Sequence, residues 1–431
     1  MTEEFLHFLW RYRNYDLRHL HTTDGEPVDV LRPGEYNTDS GPDFFNARIR
    51  IGETLWAGNV EVHLRSSDWM KHSHQHDNAY SNIILHVVHE ADQLLLDRSG
   101  KRVPTLELTG RIHPELYRKY LSFRDSSEWI SCGKQAGEVN AGVVELWMER
   151  LLIERLERKS ARILDSLALN QNDWEASFYT LLARNFGFRT NGIPFEMLAK
   201  STPYLLLARY RENLFQLEAL LLGQAGMLDD YFSSSYVQRL QSEYRFIAHK
   251  HQLAGMEFSL WKFMRMRPYN FPTVRIAQFA MLMHRSTHLF STLMEKPELN
   301  KMKSLFQTGV SDFWKTHYTL QKESKEDAKE MGEESIENIL INTVAPFLFT
   351  YGKQKGDESL CTFAIELFDQ LKAEKNSIVK NWNDMGLAAA NGGRSQALFE
   401  LRENYCLPKR CLDCAIGRFL LKREMENGSK T

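Results

Sequence analysis

The chain of 431 residues has no apolar run approaching the roughly 20 residues that a membrane-spanning helix needs; stretches such as 83–88 and 205–208 fall far short. An integral membrane protein of the helical kind is excluded, and no membrane partner is expected. Cysteine is scarce, five in all, with three bunched near the C-terminus. An odd, unevenly spread set is not the framework of a disulfide-stapled secreted domain, so these residues are candidates for metal binding, redox chemistry or burial. A large charge of one sign is missing too: 54 Lys+Arg against 56 Asp+Glu leave −2, which excludes a wholesale basic nucleic-acid binder. The opening Met1-Thr2-Glu3-Glu4 is acidic and carries no readable secretory signal, which places the expected location in the cytoplasm. No motif specifies a protein partner.

What is present is a soluble globular composition, 43% hydrophobic, 26% charged and 12% aromatic, with core material for two or three domains at this length. Two textures meet near residue 130. An amphipathic helix over 2–14, with Phe5, Leu6, Leu9, Trp10 and Tyr12 on its apolar face, precedes short β-branched runs at 28–31, 47–51, 58–64, 83–89, 94–96 and 103–108. A polar insertion at 68–80 reads as helical or irregular. From 139 onward the period is helical, with patterns over 139–167, 174–185, 204–222, 236–249, 274–293, 336–349, 359–371 and 395–405. The expectation is an α+β protein: a small mixed-sheet α/β domain over 1–130, then an all-helical domain over 131–431. The highly charged stretch 321–334 reads as a solvated loop or linker.

Residues 1–130 hold ten of the fifteen histidines, mixed with carboxylates, a mixture that suggests metal or acid–base chemistry. The most informative segment is Pro42-Asp43-Phe44-Phe45 followed by Gly58-Asn59-Val60-Glu61-Val62-His63. In a strand, Glu61 and His63 share a face. Asp43 and Glu61 converging at a sheet edge would favour Mg²⁺ or Mn²⁺, which generates hydroxide and stabilises a leaving oxygen, with His63 positioning water or binding the metal. Asp68-Trp69-Met70-Lys71-His72-Ser73-His74-Gln75-His76-Asp77 supplies a second set, since His72, His74 and His76 suit a transition metal or, equally, a polar surface turn. His86 and His89, in an apolar strand, read as satisfied core histidines.

The order helix, strand, Pro-Asp strand, Glu-x-His strand, helix, apolar strand resembles the core of the PD-(D/E)xK nuclease superfamily, with Asp43 and Glu61 at its acidic positions and His63 where its lysine stands. The resemblance covers the first domain alone. It implies a restriction-endonuclease-like fold and phosphodiester hydrolysis at a Mg²⁺ or Mn²⁺ site. Histidine in place of lysine implies either a histidine-assisted variant or a lost activity. The wider pattern, from Gly41-Pro42-Asp43-Phe44 through Glu61-Val62-His63, Asp68-Trp69 and Ile84-Leu85-His86-Val87-Val88, also resembles an uncharacterised bacterial family, domain of unknown function 2851, along most of the chain, including 261–278 and the C-terminal cysteines.

Near the end, Cys406-x4-Cys411-x2-Cys414 followed by Gly417 has the form of a metal knuckle, for which Cys132 is the available fourth ligand, since Cys361 sits in an apolar helix. Zn²⁺ and [4Fe–4S] both fit the spacing, as do buried free thiols. Between Arg239 and Arg275, seven cations interleave with aromatics against two acids. Arg245, Lys262, Arg265 and Arg267 are therefore candidate nucleic-acid contacts, or the solvated face of a packed helix. The leading expectation is a metal-dependent nuclease on DNA or RNA. The alternatives are a non-catalytic nucleic-acid-binding or scaffold protein with a structural cysteine site, and a His-rich metallohydrolase.

Overall fold

The computed structural model describes residues 1–97 and 100–428. Its residues divide into two compact units, 1–147 with 401–431, and 148–400. The cysteine-bearing C-terminal segment, grouped by sequence with the helical region, thus belongs to the unit that contains the sheet.

The first unit opens with α1 (Glu3–Tyr12), started by Thr2, whose side chain accepts from the Phe5 amide, and ended by Arg13 in the left-handed region. Phe5, Leu6, Phe8, Leu9 and Trp10 are its buried face. Six strands follow: β1 (Val28–Arg32), β2 (Glu35–Tyr36), β3 (Phe44–Ile51), β4 (Thr54–Arg65), β5 (Ile83–Glu90) and β6 (Thr105–Glu107). The sheet order is β1-β3-β4-β5-β6, with β2 also pairing to β3. The β1–β3 and β3–β4 pairs are antiparallel, whereas β4–β5 and β5–β6 are parallel. A parallel pair cannot be joined by a hairpin. The β4–β5 crossover accordingly runs through α2 (Asp68–Lys71) and two 3-10 turns, His74–His76 and Asn78–Tyr80. β4 lies in the middle of this mixed sheet, which gives Val60 to His63 burial on both faces. The expected strand at 94–96 is not formed; Leu96 makes only an isolated bridge to Arg102.

After α3 (Pro114–Arg124) and α4 (Ala141–Leu169), the second unit is helical, so the α+β reading holds. Two of the long helical patterns are broken in the structure. The first divides into Tyr204–Arg209 and Leu214–Gln224, because the Asn213 side chain accepts from the Phe215 and Gln216 amides and starts a new helix. The second divides into Pro272–Arg285 and Leu289–Met294. The stretch 321–334 is largely the exposed, irregular loop that its charge suggests, lying within the second unit and not between units, with Lys329 as an exception. Lys329 is wholly buried, its ammonium donating to the carbonyls of Trp314 at 2.6 Å and Lys315 at 2.7 Å over the Tyr318 ring. A cation satisfying the last carbonyls of a helical turn has reason to be inside. No described helix is long and apolar enough to cross a membrane.

The β4–β5 pairing tolerates no side chain at Gly58, where an added Cβ would sit 2.4 Å from Ile84 Cγ2 and 2.8 Å from the Asn82 carbonyl. Gly58→Ala is expected to destabilise the fold by about 1–3 kcal/mol through overpacking, read as a lower urea midpoint; an unchanged midpoint would contradict this packing.

Candidate metal centre

Four consecutive residues of β4, Val60, Glu61, Val62 and His63, are buried. Strand alternation sends the two valines to one face and the carboxylate and imidazole to the other. Asp43 reaches them because of a bulge in β3. Ala47 pairs with Gly58, but Phe44 pairs with Val60, so one extra residue is taken up between them, where Asn46 adopts a φ of 57°. Continued from Phe44, this register sets Asp43 opposite Glu61; without the bulge it would face Val62. The two acids lock reciprocally. The Asp43 amide donates to Glu61 Oε2 at 3.1 Å, and the Val62 amide donates to Asp43 Oδ2 at 3.0 Å.

Three more segments close on this pair. From α1, His7 Nε2 lies 3.2 Å from Asp43 Oδ2, and Glu3 Oε1 lies 4.0 Å from His63 Nε2. From the crossover, His72 Nδ1 lies 3.1 Å from His63 Nε2, and His74 Nε2 lies 3.3 Å from Glu61 Oε1. From β5, His86 Nε2 lies 2.8 Å from His63 Nδ1. His63 Nε2 is itself 3.6 Å from Glu61 Oε1. One ring nitrogen each of His63, His72 and His74 falls within 4.8 Å of the others. Trp69 meets His74 and His86 edge-on, and Tyr80 stacks on His74 at 3.9 Å, which fixes the rings from behind.

The electrostatics separate the groups. Burial, followed by the charges of His86, His74 and His72, pushes His63 down to about 3. Burial also pushes His86 down to about 3. Burial raises Glu61, with His74 working against it. Burial opposes charge on His7 as well, but its hydrogen bond to Asp43 and the charges of Asp43, Glu3 and Glu61 raise it above its ordinary value. Neutral imidazoles crowded nitrogen to nitrogen beside a carboxylate are a donor set for a cation. His74 Nε2 is buried and makes no hydrogen bond of good geometry despite its closeness to Glu61, so a cation between the two would satisfy both. If His63 ligates through Nε2, its Nδ1–H is left to donate to His86, the orientation a ligating histidine needs.

Of the residues singled out by sequence, Asp43, Glu61, His63, His72 and His74 are brought together. His76, in the same turn as His74, is exposed and stands outside the group. Glu3, His7 and His86 were not anticipated as members. The spacing of Glu3 and His7, four apart on a helix whose apolar face is elsewhere, was the signal available. Arg245, Lys262, Arg265 and Arg267 are all exposed and belong to the second unit. Around them Phe246, Met264 and Tyr269 are exposed as well. Two members of the same basic stretch are structural: Trp261 is buried and donates to the Ala225 carbonyl at 2.8 Å, and Arg275 is buried against Gln278, Asn270 and Ser335.

A family model described as "Protein of unknown function (DUF2851)" matches residues 3–377, nearly the whole chain. The chain belongs to the DUF2851 family. The match contains every residue of the centre and ends before Cys406, Cys411 and Cys414. No curated protein and no solved structure gives a significant match to this DUF2851 chain.

The low values of His63 and His86 carry a pH signature in the metal-free protein. Above about pH 6.5 these imidazoles are neutral folded or unfolded; below it the unfolded chain takes up protons that the fold refuses until about 3. Stability is therefore expected to fall as pH drops from about 6.5 towards 3, by up to about 1.4 kcal/mol per unit for each histidine. His7 is shifted the other way, so its contribution is complete at pH 6.5 and stays constant below. Urea midpoints of chelated protein at about pH 6.5 and pH 5.5, below the window in which His7 changes, test this, with His86→Leu expected to flatten the slope; a pH-independent midpoint in the wild type would refute it.

Proposed function

We propose that this DUF2851 protein is a metal-dependent hydrolase of phosphodiesters, with nucleic acid as its substrate. The observation that carries the reading is the gathering of His63, His72 and His74 nitrogens within 4.8 Å of one another beside the Glu61 carboxylate. These four residues would hold the ion, and an imidazole-rich set suits Mn²⁺ or Zn²⁺ better than the Mg²⁺ that two carboxylates alone would favour. Such an ion supplies a Lewis acid and an acidified water. Asp43, held by the Val62 amide, lies against His7 and, with Glu3 and Glu61, favours a proton on that imidazole. A protonated His7 at the edge of the cluster is placed to donate to a leaving alkoxide, the general-acid role. His86 acts as a positioning residue through His63.

The substrate class rests on the second unit. Arg245, Lys262, Arg265 and Arg267, with Phe246 and Tyr269 among them, expose cations and stacking surfaces together, which suit a phosphate chain with unpaired bases. Exposure is equally what the solvated face of a packed helix would show, and charge reversal separates the two readings.

Purified protein stripped by chelator should be inactive on labelled single- and double-stranded DNA and RNA and on a chromogenic bis-aryl phosphodiester, and should regain cleavage when Mn²⁺ or Zn²⁺ is restored. His72→Ala and His74→Ala, which touch the rim of the fold, should each lower that activity about 100-fold or more while leaving the thermal midpoint of the chelated protein near wild type. Arg265→Glu with Arg267→Glu should weaken nucleic-acid binding and leave hydrolysis of the small diester unchanged. Salt-sensitive binding without cleavage at any metal would overturn the hydrolase and leave a binding protein. Cleavage of the small diester alone would overturn the nucleic-acid substrate.

A further inference from the structure

A second group of metal-binding side chains lies in the first unit, apart from the histidines. Cys132 stands at the start of the 3-10 turn Gly133–Glu138, Cys406 ends the π-turn Arg402–Cys406, and Cys411 and Cys414 bracket the tight turn before the C-terminal helix Ala415–Gly428. Two segments far apart in sequence are fastened here. Lys409 Nζ donates to the carbonyls of Arg124 at 2.7 Å and Ser126 at 2.8 Å, Arg423 pairs with Glu138 at 2.8 Å, and Arg402 lies over the Trp129 ring. The four thiols are thereby brought near one another, Cys406 close enough to feel all three others and Cys132 to feel Cys414 and Cys411. Among the described residues no three of these sulfurs lie within 4.8 Å of one another, so a single ion would have to draw them closer, whereas the wider iron–sulfur cluster would not. None forms a disulfide.

Ordinary burial of thiols does not account for how Cys414 is surrounded. Its sulfur is buried, which raises the thiol, yet the backbone amides of Ile416 and Gly417 and the Trp147 indole lie near enough to favour the thiolate against that burial. A thiol sulfur is a weak acceptor; such neighbours suit a sulfur that ligates a metal. The turn is built to allow this approach. At Gly417 an added Cβ would lie 2.3 Å from the Cys411 carbonyl oxygen, so only glycine lets the helix start close over the Cys411 backbone. Arg402, Lys409 and Arg418 act on Cys406, Cys411 and Cys414 respectively. Four thiolates around a dication would leave a net charge of about −2, which three such cations offset; burial raises all four thiols, so it is a bound metal that would hold them deprotonated. Cys361 takes no part: in the second unit its S–H contacts the Phe349 carbonyl at 3.6 Å.

We propose that Cys132, Cys406, Cys411 and Cys414 form a four-thiolate metal centre, separate from the histidine cluster, that fastens the C-terminal turn to the 124–138 segment. Soft thiolate donors select zinc or an iron–sulfur cluster over Mg²⁺ or Mn²⁺. Because such ligation is coupled to folding, the role is structural, and it rests on no activity at the other site.

The test uses the full-length chain carrying His72→Ala and His74→Ala, so that metal counted there does not belong to the histidine cluster. Elemental analysis should find about one zinc per chain, or several irons with matching acid-labile sulfide and a visible charge-transfer band; the second result identifies the cluster, the first the single ion. Cys411→Ser should lose at least three-quarters of that metal and melt lower, whereas Cys361→Ser should keep both. Should Cys411→Ser fail to fold, Co²⁺ substitution of the otherwise wild-type cysteines supplies the second measurement, with intense sulfur-to-cobalt charge-transfer absorption expected. Metal content unchanged in Cys411→Ser, or a chain that folds without metal and shows no thiolate–cobalt band, would overturn the centre. Neither result depends on whether the histidine site hydrolyses anything.

Discussion

A carboxylate and an imidazole buried side by side on the middle strand of a sheet set the terms for the rest of the first unit. Glu61 and His63 are 4% and 2% exposed, on a strand that has neighbours on both edges and packing on both faces. Polar groups in that position cost several kcal/mol each unless they are partnered. Every surrounding element contributes a partner: α1 gives Glu3 and His7, the start of β3 gives Asp43, the crossover gives His72 and His74, and β5 gives His86. Removing Asp43 or His86, on the buried side, leaves the Val62 amide or His63 Nδ1 unsatisfied, whereas His72 and His74 at the rim can be lost at less cost. An apolar pair at 61 and 63 would pack more simply. Its absence argues that the polar site has a use that stability alone does not supply.

The bulge in β3 matters more to the site than any single side chain. It costs one ladder position and places Asn46 in a left-handed conformation, and in return it changes the residue facing Glu61 from Phe44 to Asp43. Two acids opposite one another would repel. Here each carboxylate instead accepts an amide from the other's strand, and His7 adds a proton to Asp43's side. That arrangement can hold a second positive charge, from an ion, without rebuilding.

Much of this was legible in the residues themselves. Period-two alternation set Glu61 and His63 on one face, and Pro42-Asp43 marked where a neighbouring strand begins. The members that escaped did so for identifiable reasons. In α1 the strong signal was apolar, from Phe5, Leu6, Leu9 and Trp10, and it drew attention from Glu3 and His7 on another face. His86 looked like a core residue because β5 is apolar on either side of it; only the parallel register, with Glu61 beside His86, shows what its ring meets, and no local pattern encodes a register across a crossover. His76 was grouped with His72 and His74 by alternation, yet the chain there forms a 3-10 turn, in which alternate residues do not share a face. Charge density marked 321–334 correctly as solvated, but it hid Lys329, whose ammonium found two helix-end carbonyls. The clustered cysteines were legible by spacing, but that their segment belongs with the sheet and not with the helices was not, because unit membership depends on contacts far apart in sequence.

The two centres share α1. One stretch of that helix carries Glu3 and His7 to the histidine cluster, and about one helical turn further on Arg11 lies 3.9 Å from Asp413, while Arg418 sits over the Tyr12 ring at 4.4 Å. Asp413 and Arg418 flank Cys414. The exposed Arg11–Asp413 pair contributes little by itself, so the hold on the end of α1 comes from stacking and from the geometry of the turn that presents Arg418. Whatever fixes that turn also fixes the last turn of α1, and a helix fixed at that end has little freedom to withdraw His7 from Asp43 at the other. A thiolate-bound metal remote from any substrate would in this way bear on the position of the acid–base pair through a single rigid element.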